Sequence, residues 1–275
     1  MVTGRSLNPA WLIRNVATSW HHRAGLADFA RRLVLAYSAK LPRRARRPEW
    51  TIGFRYPAPI GNVRLLLRDN GGSDLFIHSE VFEHEYYRLP LARLPTTVLD
   101  LGANIGFSAV YFGRMFPDAD LACVEPIPDN LRLLARNLAL NAIPATVIAA
   151  AVDASDGRVV MELEARDHEH NIAPPSRRSS RPQLEVDSIS VPTLLRRLAW
   201  GRIGLLKVDI EGHETALFAR DCGWLERVDA MCIECHDGFD DGQLAGLARR
   251  FGFTAPQRLP GTWFMMRRAS TTGAA

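Results

Sequence analysis

The sequence predicts an α/β protein with a mostly parallel sheet covered by helices on both faces, preceded by a basic helical extension. Three observations carry this expectation. Apolar runs of strand length recur between segments of helical periodicity: TTVLDLG (96–102), LACVEP (121–126), ATVIAAAV (145–152), IGLLKVDI (203–210) and VDAMCIEC (228–235). These runs are almost continuously apolar, as strands buried on both faces must be. The length of 275 residues suits a single α/β core with an extension, and no internal repeat competes with that reading.

Along the chain, residues 9–40 place Trp11, Leu12, Val16, Leu26, Phe29, Leu33 and Tyr37 at helical spacing, and PRRARRP (42–48) reads as an exposed linker. Residues 1–50 carry ten Lys/Arg against Asp28 and Glu49, although the net charge of the whole chain is only +4. The remainder is therefore net acidic. This argues against a nucleic-acid partner held on a basic catalytic face. The basic N-terminal helix has two readings, a peripheral contact with a membrane or acidic partner, or a cap packed on the main fold.

WTIGFRY and VRLLLRDN predict two strands, and DLFIHSEVFEHEYYRLPLA predicts a helix before the β–α alternation begins. Residues 153–190 interrupt the alternation. DGRVVMELEA and PQLEVDSIS look like added strands, and the polar 166–182 loop between them, which contains His168 and His170, is an expected lid. FTAPQRL and TWFMMRR predict a closing antiparallel hairpin. No apolar run approaches a membrane span, and no secretory signal is visible at the N-terminus. Cys123, Cys222, Cys232 and Cys235 lie in or beside strand-like runs. They read as reduced thiols, so a cytoplasmic protein is expected. Oligomeric state is not legible.

The first strand–loop–helix, VLDLGANIGFSAV, carries the chemistry. Gly102 and Gly106 permit a sharp turn and close backbone approach to a ligand. Asn104 stands where a dinucleotide fingerprint has its middle glycine. Asp100 ends the strand, a poor neighbour for a pyrophosphate but a good one for an ammonium and a sulfonium. Glu125 ends the next strand, where a carboxylate accepts hydrogen bonds from ribose hydroxyls. S-adenosylmethionine carries both cations and the ribose and has no phosphate. An NAD(P)-dependent oxidoreductase is the alternative enzyme on a similar sheet, and a non-catalytic adaptor docking through the basic helix is the alternative from another class.

VLDLGANIGFSAV, Glu125, LLKVDIEGHE (205–214) and CIECH together resemble the FkbM family of S-adenosylmethionine-dependent methyltransferases, over about residues 75–268. The resemblance implies a class I methyltransferase (Rossmann-like) fold in residues 51–275 and O-methylation of a small molecule such as a sugar or secondary metabolite. It implies cofactor contacts from Asp100, Gly102, Asn104, Gly106 and Glu125, with Ala151 and Val152 by the adenine. Glu85, of the pair Glu85-Tyr86, resembles a family position more weakly. The acceptor, and O- versus N-methylation, are not legible.

Lys207 is one of only two lysines in a chain of 34 basic residues, and it sits inside an apolar run. Alternation puts Lys207, Asp209 and Glu211 on one side of their strand. If Asp209 and His236 mark the ends of adjacent strands, Lys207 lies level with Glu234. His236 is the first candidate for a general base, with Asp209, Glu211 and Lys207 in its company. Lys207 has a structural alternative as a buried ion-pair anchor, and His236 one as a satisfied polar residue. A divalent cation held by Asp209, Glu211, Glu234 or His236 is a further alternative that no spacing singles out, so no metal role is assigned.

Overall fold

The computed structural model describes residues 16–37, 49–162, 171–172, 182–219, 222–236 and 238–268. The basic linker at 42–48 and most of the expected lid, including His168 and His170, lie outside them. By its contacts the chain divides into Met1–Ile77 and His78–Ala275.

In the first unit, residues 16–21 form α1 and Leu26–Tyr37 form α2. Glu49–Arg55 (β1) and Asn62–Arg68 (β2) pair antiparallel, Glu49 opposite Arg68 and Arg55 opposite Asn62. A Cβ on Gly53 of β1 would lie 3.0 Å from Ala24 and from Asp28, so the strand lacks a side chain where the helical segment presses on it. The hairpin thus groups by its contacts with the N-terminal helices. Ser73–His78 (α3) follows, its first turn held by the buried Arg68–Asp74 ion pair at 2.9 Å.

The second unit opens with a π-helical turn, Ser79–Glu83. Its main sheet contains β3 (Thr97–Leu101), β4 (Asp120–Glu125), β5 (Thr146–Ala149), β10 (Ile203–Val208), β11 (Val228–Ile233), β12 (Gln257–Arg258) and β13 (Trp263–Met266). The spatial order is β12-β13-β11-β10-β3-β4-β5. The five central strands β11-β10-β3-β4-β5 run parallel, and β13 is antiparallel to both neighbours, as the predicted hairpin requires. The chain winds outward from β3 in one direction and from β10 in the other, which is the class I methyltransferase arrangement. The boundary between these two strands is the switch point, where such sheets bind ligands at the carboxyl ends.

Helices α4 (Phe107–Met115) and α5 (Pro128–Leu140) follow β3 and β4. α6 (Val191–Arg197) precedes β10, α7 (Glu214–Phe218) follows it, and α8 (Asp241–Arg250) follows β11. Asp240 caps α8 by a reciprocal exchange with Gln243. Leu99, Leu101, Leu206, Val208, Met231 and Ile233 form one apolar face under Leu217, Leu244 and Phe251.

The third strand differs from its expected form. The run 145–152 divides at Ala150: β5 stays in the main sheet, whereas β6 (Ala151–Val152) joins a second sheet ordered β6-β9-β7-β8. There β7 (Gly157–Glu162), β8 (Asn171–Ile172) and β9 (Gln183–Ile189) supply the added strands. Among the described residues no helix is long and apolar enough to cross a membrane.

Leu206→Ala should lower the unfolding free energy by about 2–5 kcal/mol, because Leu206 is fully buried at the sheet centre. Leu94→Ala, at a site 77% exposed, should stay within about 0.5 kcal/mol in the same urea titration.

Candidate active site

The loop after β3 is shaped by three successive departures from ordinary backbone. Gly102, Asn104 and Gly106 all have positive φ, at 79°, 49° and 89°. A Cβ on Gly102 would sit 1.8 Å from the Asp209 carbonyl oxygen, so only glycine lets the end of β10 pass beside the loop. A Cβ on Gly106 would come within 2.6 Å of Leu134 on α5. Gly106 therefore brings two helices together and does not line the cleft.

Beneath the loop runs a row of residues in register across four strands: Cys123, Asp100, Lys207 and Cys232. Lys207 is thus level with Asp100 and Cys232, not with Glu234; β11 sits two residues further along than a shared end at Asp209 and His236 requires. The Lys207 ammonium reaches Asp100 Oδ1 at 3.1 Å and Asp209 Oδ2 at 3.2 Å, and donates to the Gly102 carbonyl at 2.7 Å. Ser108 donates to the other oxygen of Asp100 at 2.6 Å. Lys207 and Asp100 are buried. Burial opposes the ammonium charge, but Asp100 first, then Asp209 and Tyr87, outweigh it and hold the Lys207 pKa well above its ordinary value. Burial pushes the flanking Cys123 and Cys232 thiols up, so both stay neutral.

Two residues with positive φ, Glu211 at 53° and Gly212 at 93°, turn the chain sharply after β10. This turn gathers a second group. His236 Nε2 lies 3.5 Å from Glu211 Oε2 and 3.9 Å from Asp209 Oδ1, while its Nδ1 meets the fully buried Glu214 at 2.8 Å. Burial, then Asp209, pushes the Glu211 carboxyl up to about 9 and the Glu234 carboxyl up to about 8. Burial works against the His236 charge, but the Glu214 hydrogen bond and Asp209 prevail and raise it to about 9.

Glu125 is buried at the end of β4. It accepts from the backbone N–H groups of Asn104 at 3.0 Å and Ile127 at 2.9 Å, and from Asn130 Nδ2 at 3.2 Å. Burial raises its pKa against those three bonds. A cleft of about 590 Å³, open to solvent, runs from Glu125, Ala151 and Val152 past Gly102 and Asn104 to Asp209 and Glu211. His213, at its edge, is 3.0 Å from Asp153.

The structure thus brings Gly102, Asn104, Glu125, Ala151, Val152, Asp209 and Glu211 to one cleft, with Asp100 and Lys207 beneath its floor and His236 against Asp209 and Glu211. Glu85 lies elsewhere: it has a positive φ, which favours a turn, and its carboxylate meets Arg88 at the exposed surface. Sequence reasoning missed Glu80. It is carried by the π-helical turn, and burial lifts it to about 7 against a Tyr86 hydrogen bond, with Asp209 adding to the rise. Tyr86, named from the sequence only as the partner of Glu85 in the weaker family match, fills with its ring the space a Gly261 side chain would take. Glu80 has no spacing signal, because it reaches the acidic group through tertiary packing.

A profile of the methyltransferase FkbM domain matches residues 100–255, more than half of the chain. The chain belongs to the FkbM methyltransferase family. This FkbM-family chain is 41% identical over 68 residues to methyltransferase sdnD of Sordaria araneosa, covering 24% of this chain and 26% of that protein. It is 24% identical over 192 residues to Methyltransferase 1 of Beauveria bassiana (strain ARSEF 2860), covering 60% and 75% of the two chains. A crystal structure of the FkbM methyltransferase of Methylobacillus flagellatus KT aligns with 94% of this chain and 60% of its own, at 14% identity and a TM-score of 0.48. The chain thus spans about a quarter of the Sordaria relative.

Lys207→Met should cost about 3–5 kcal/mol in chemical denaturation at neutral pH, because it strands Asp100 without its cation. Lys207→Arg should not restore the loss, since the planar guanidinium does not fit a point charge with three convergent oxygens. In the ligand-free protein, Glu211, Glu234 and His236 all bind protons more tightly folded than unfolded. Stability should therefore fall as pH rises from about 5 to about 9, and Glu211→Gln should flatten that slope.

Proposed function

We propose that this FkbM-family protein is a methyltransferase that uses S-adenosylmethionine to methylate a hydroxyl of a small molecule. The observation that carries the reading is the acid–lysine network beneath a glycine loop, at the switch point of the sheet. Two features of the cleft fit the donor. The buried Oδ1 of Asn104 has no hydrogen-bond partner among the described residues and so has an acceptor to offer. Glu125 uses three of its roughly four acceptor positions on the protein, leaving one on Oε2 for a ribose hydroxyl.

On this reading Glu125 and Asn130 bind the ribose, and Ala151, Val152 and Met161 form the apolar wall for the adenine. Asp209 offers negative charge to the methionine end of the donor. When bound, S-adenosylmethionine supplies an electrophilic methyl group on a sulfonium. The chain's own part is to hold the acceptor oxygen in line with that methyl beside Asp209, Glu211 and His236, and to help its proton leave. Lys207 keeps Asp100 and Asp209 fixed as a positioning residue. The absent middle glycine and the carboxylate under the loop both count against a dinucleotide. Residues 1–50 are proposed as a basic extension to a catalytic domain that spans residues 51–275.

Isothermal titration should show S-adenosylhomocysteine binding and no NAD(P) binding. Glu125→Gln should weaken the nucleoside about tenfold or more, on the order of 1.4 kcal/mol, with an unchanged circular dichroism spectrum. Binding of NAD(P) but not the nucleoside would falsify the assignment. Incubation with candidate alcohols and S-adenosylmethionine, followed by mass spectrometry, identifies the acceptor.

A further inference from the structure

We propose that Asp209, Glu211 and His236 form a binding site for an octahedral divalent cation of the Mg²⁺ or Mn²⁺ class at the acceptor end of the cleft. Each residue offers one donor atom, and the three donors lie within 4.8 Å of one another. With His236 Nε2 at 3.5 Å from Glu211 Oε2 and 3.9 Å from Asp209 Oδ1, and the third separation within 4.8 Å, a central point lies at most about 2.4 Å from each, against the ~2.0–2.1 Å that Mg²⁺ takes. An inward shift of a few tenths of an ångström by half-buried side chains closes that difference. Asp209 divides its oxygens: Oδ2 faces Lys207 at 3.2 Å, and Oδ1 faces the histidine.

An independent observation lies behind the histidine. Glu214 is fully buried, and its Oε1 stands 2.8 Å from His236 Nδ1. A carboxylate accepting from Nδ1–H fixes the tautomer, so the Nε2 lone pair points toward Asp209 and Glu211, the arrangement that orients imidazoles on metals. The same Oε1 also faces the N–H groups of Ile210 and Gly212, at 3.3 and 3.4 Å. Its other oxygen, Oε2, is buried with no hydrogen-bond partner among the described residues. An unpartnered carboxylate oxygen this deeply buried is costly, and positive charge on the histidine, from a proton or from an ion that displaces the proton on Nε2, offsets that cost.

Charge points the same way. Lys207 is engaged by Asp100 and Asp209, which leaves Glu211, Glu214 and Glu234 facing a single histidine. Two carboxylate oxygens and one imidazole nitrogen, with no thiol among them, select a hard to borderline ion. Three protein donors leave coordination positions toward the cleft for an acceptor oxygen and water.

The role of the ion rests on the methyltransferase reading; its binding does not. An acceptor hydroxyl on the ion loses its proton to bulk water more readily than a free one. The new oxygen–carbon bond then forms as the carbon–sulfur bond breaks, and S-adenosylhomocysteine leaves as a neutral sulfide. His236 holds the ion in this scheme and is not the base.

Mn²⁺ alone, titrated into the full-length, chelator-treated, untagged protein and followed by electron paramagnetic resonance, should saturate at one equivalent, and Mg²⁺ should displace it. Glu211→Gln and His236→Ala should each weaken Mn²⁺ at least about tenfold, and Glu214→Gln about 10–100-fold through the histidine. Circular dichroism confirms that each variant is folded. No saturable Mn²⁺ binding by the wild-type protein, or equal affinity in all variants, overturns the site. S-adenosylhomocysteine binding is measured on the same wild-type sample. Nucleoside bound without Mn²⁺ removes the ion and keeps the methyltransferase; Mn²⁺ bound without nucleoside keeps the site and removes the methyltransferase.

Discussion

A single ammonium group under the glycine loop sets the geometry of the whole ligand-binding edge. Lys207 touches a carboxylate from its neighbouring strand, a carboxylate just beyond the end of its own strand, and the carbonyl of the loop. Those three contacts fix the relative position of β3 and β10 at the point where the sheet reverses its winding. Desolvating an ammonium costs several kcal/mol, and two carboxylates with a carbonyl offset it. Small neutral neighbours on either side, Cys123 and Cys232, leave room for the pair without adding charge. The arrangement also explains a composition that otherwise uses arginine almost exclusively: a compact charge on a flexible stem suits convergent oxygens, and a guanidinium does not.

Much of the fold was legible because its signals are local. Apolar runs, glycine loops and helical spacing act over a few residues, and they marked the central strands, the crossover helices and the closing hairpin. The placing of Asp100, Gly102, Asn104 and Glu125 at one edge of the sheet was legible for the same reason, since they sit at fixed offsets from strand ends. Register was not. A two-residue offset between β10 and β11 moved Lys207 from Glu234 to Cys232, and nothing in either strand's own sequence encodes that offset. The contact of Glu85 with Arg88, on a residue of left-handed backbone, was not legible either. Glu80, arriving from a π-helical turn, was invisible because its environment is assembled from distant segments.

The site joins two halves of opposite character. On the Glu125 side, the carboxylate oxygens are nearly saturated by two backbone N–H groups and the Asn130 amide, so that end is held in place. On the Asp209 side, carboxylates outnumber cations and hold their protons to unusually high pH. Such a group is held together against its own repulsion by the frame below it and by the Glu211–Gly212 turn. That is a destabilised arrangement of the kind that functional sites retain at the expense of stability.

The break at Ala150 has a consequence for how such a protein diversifies. Because the chain leaves one sheet and enters another there, the cleft wall at Ala151, Val152 and Met161 is shared between a frame fixed by the lysine network and a smaller sheet with its own pairing. Insertions, deletions or new side chains in β7 through β9 can remodel the mouth of the cleft while the register of the central strands is untouched. The shape of that wall can drift on the appendage, with the acid–lysine frame inherited unchanged.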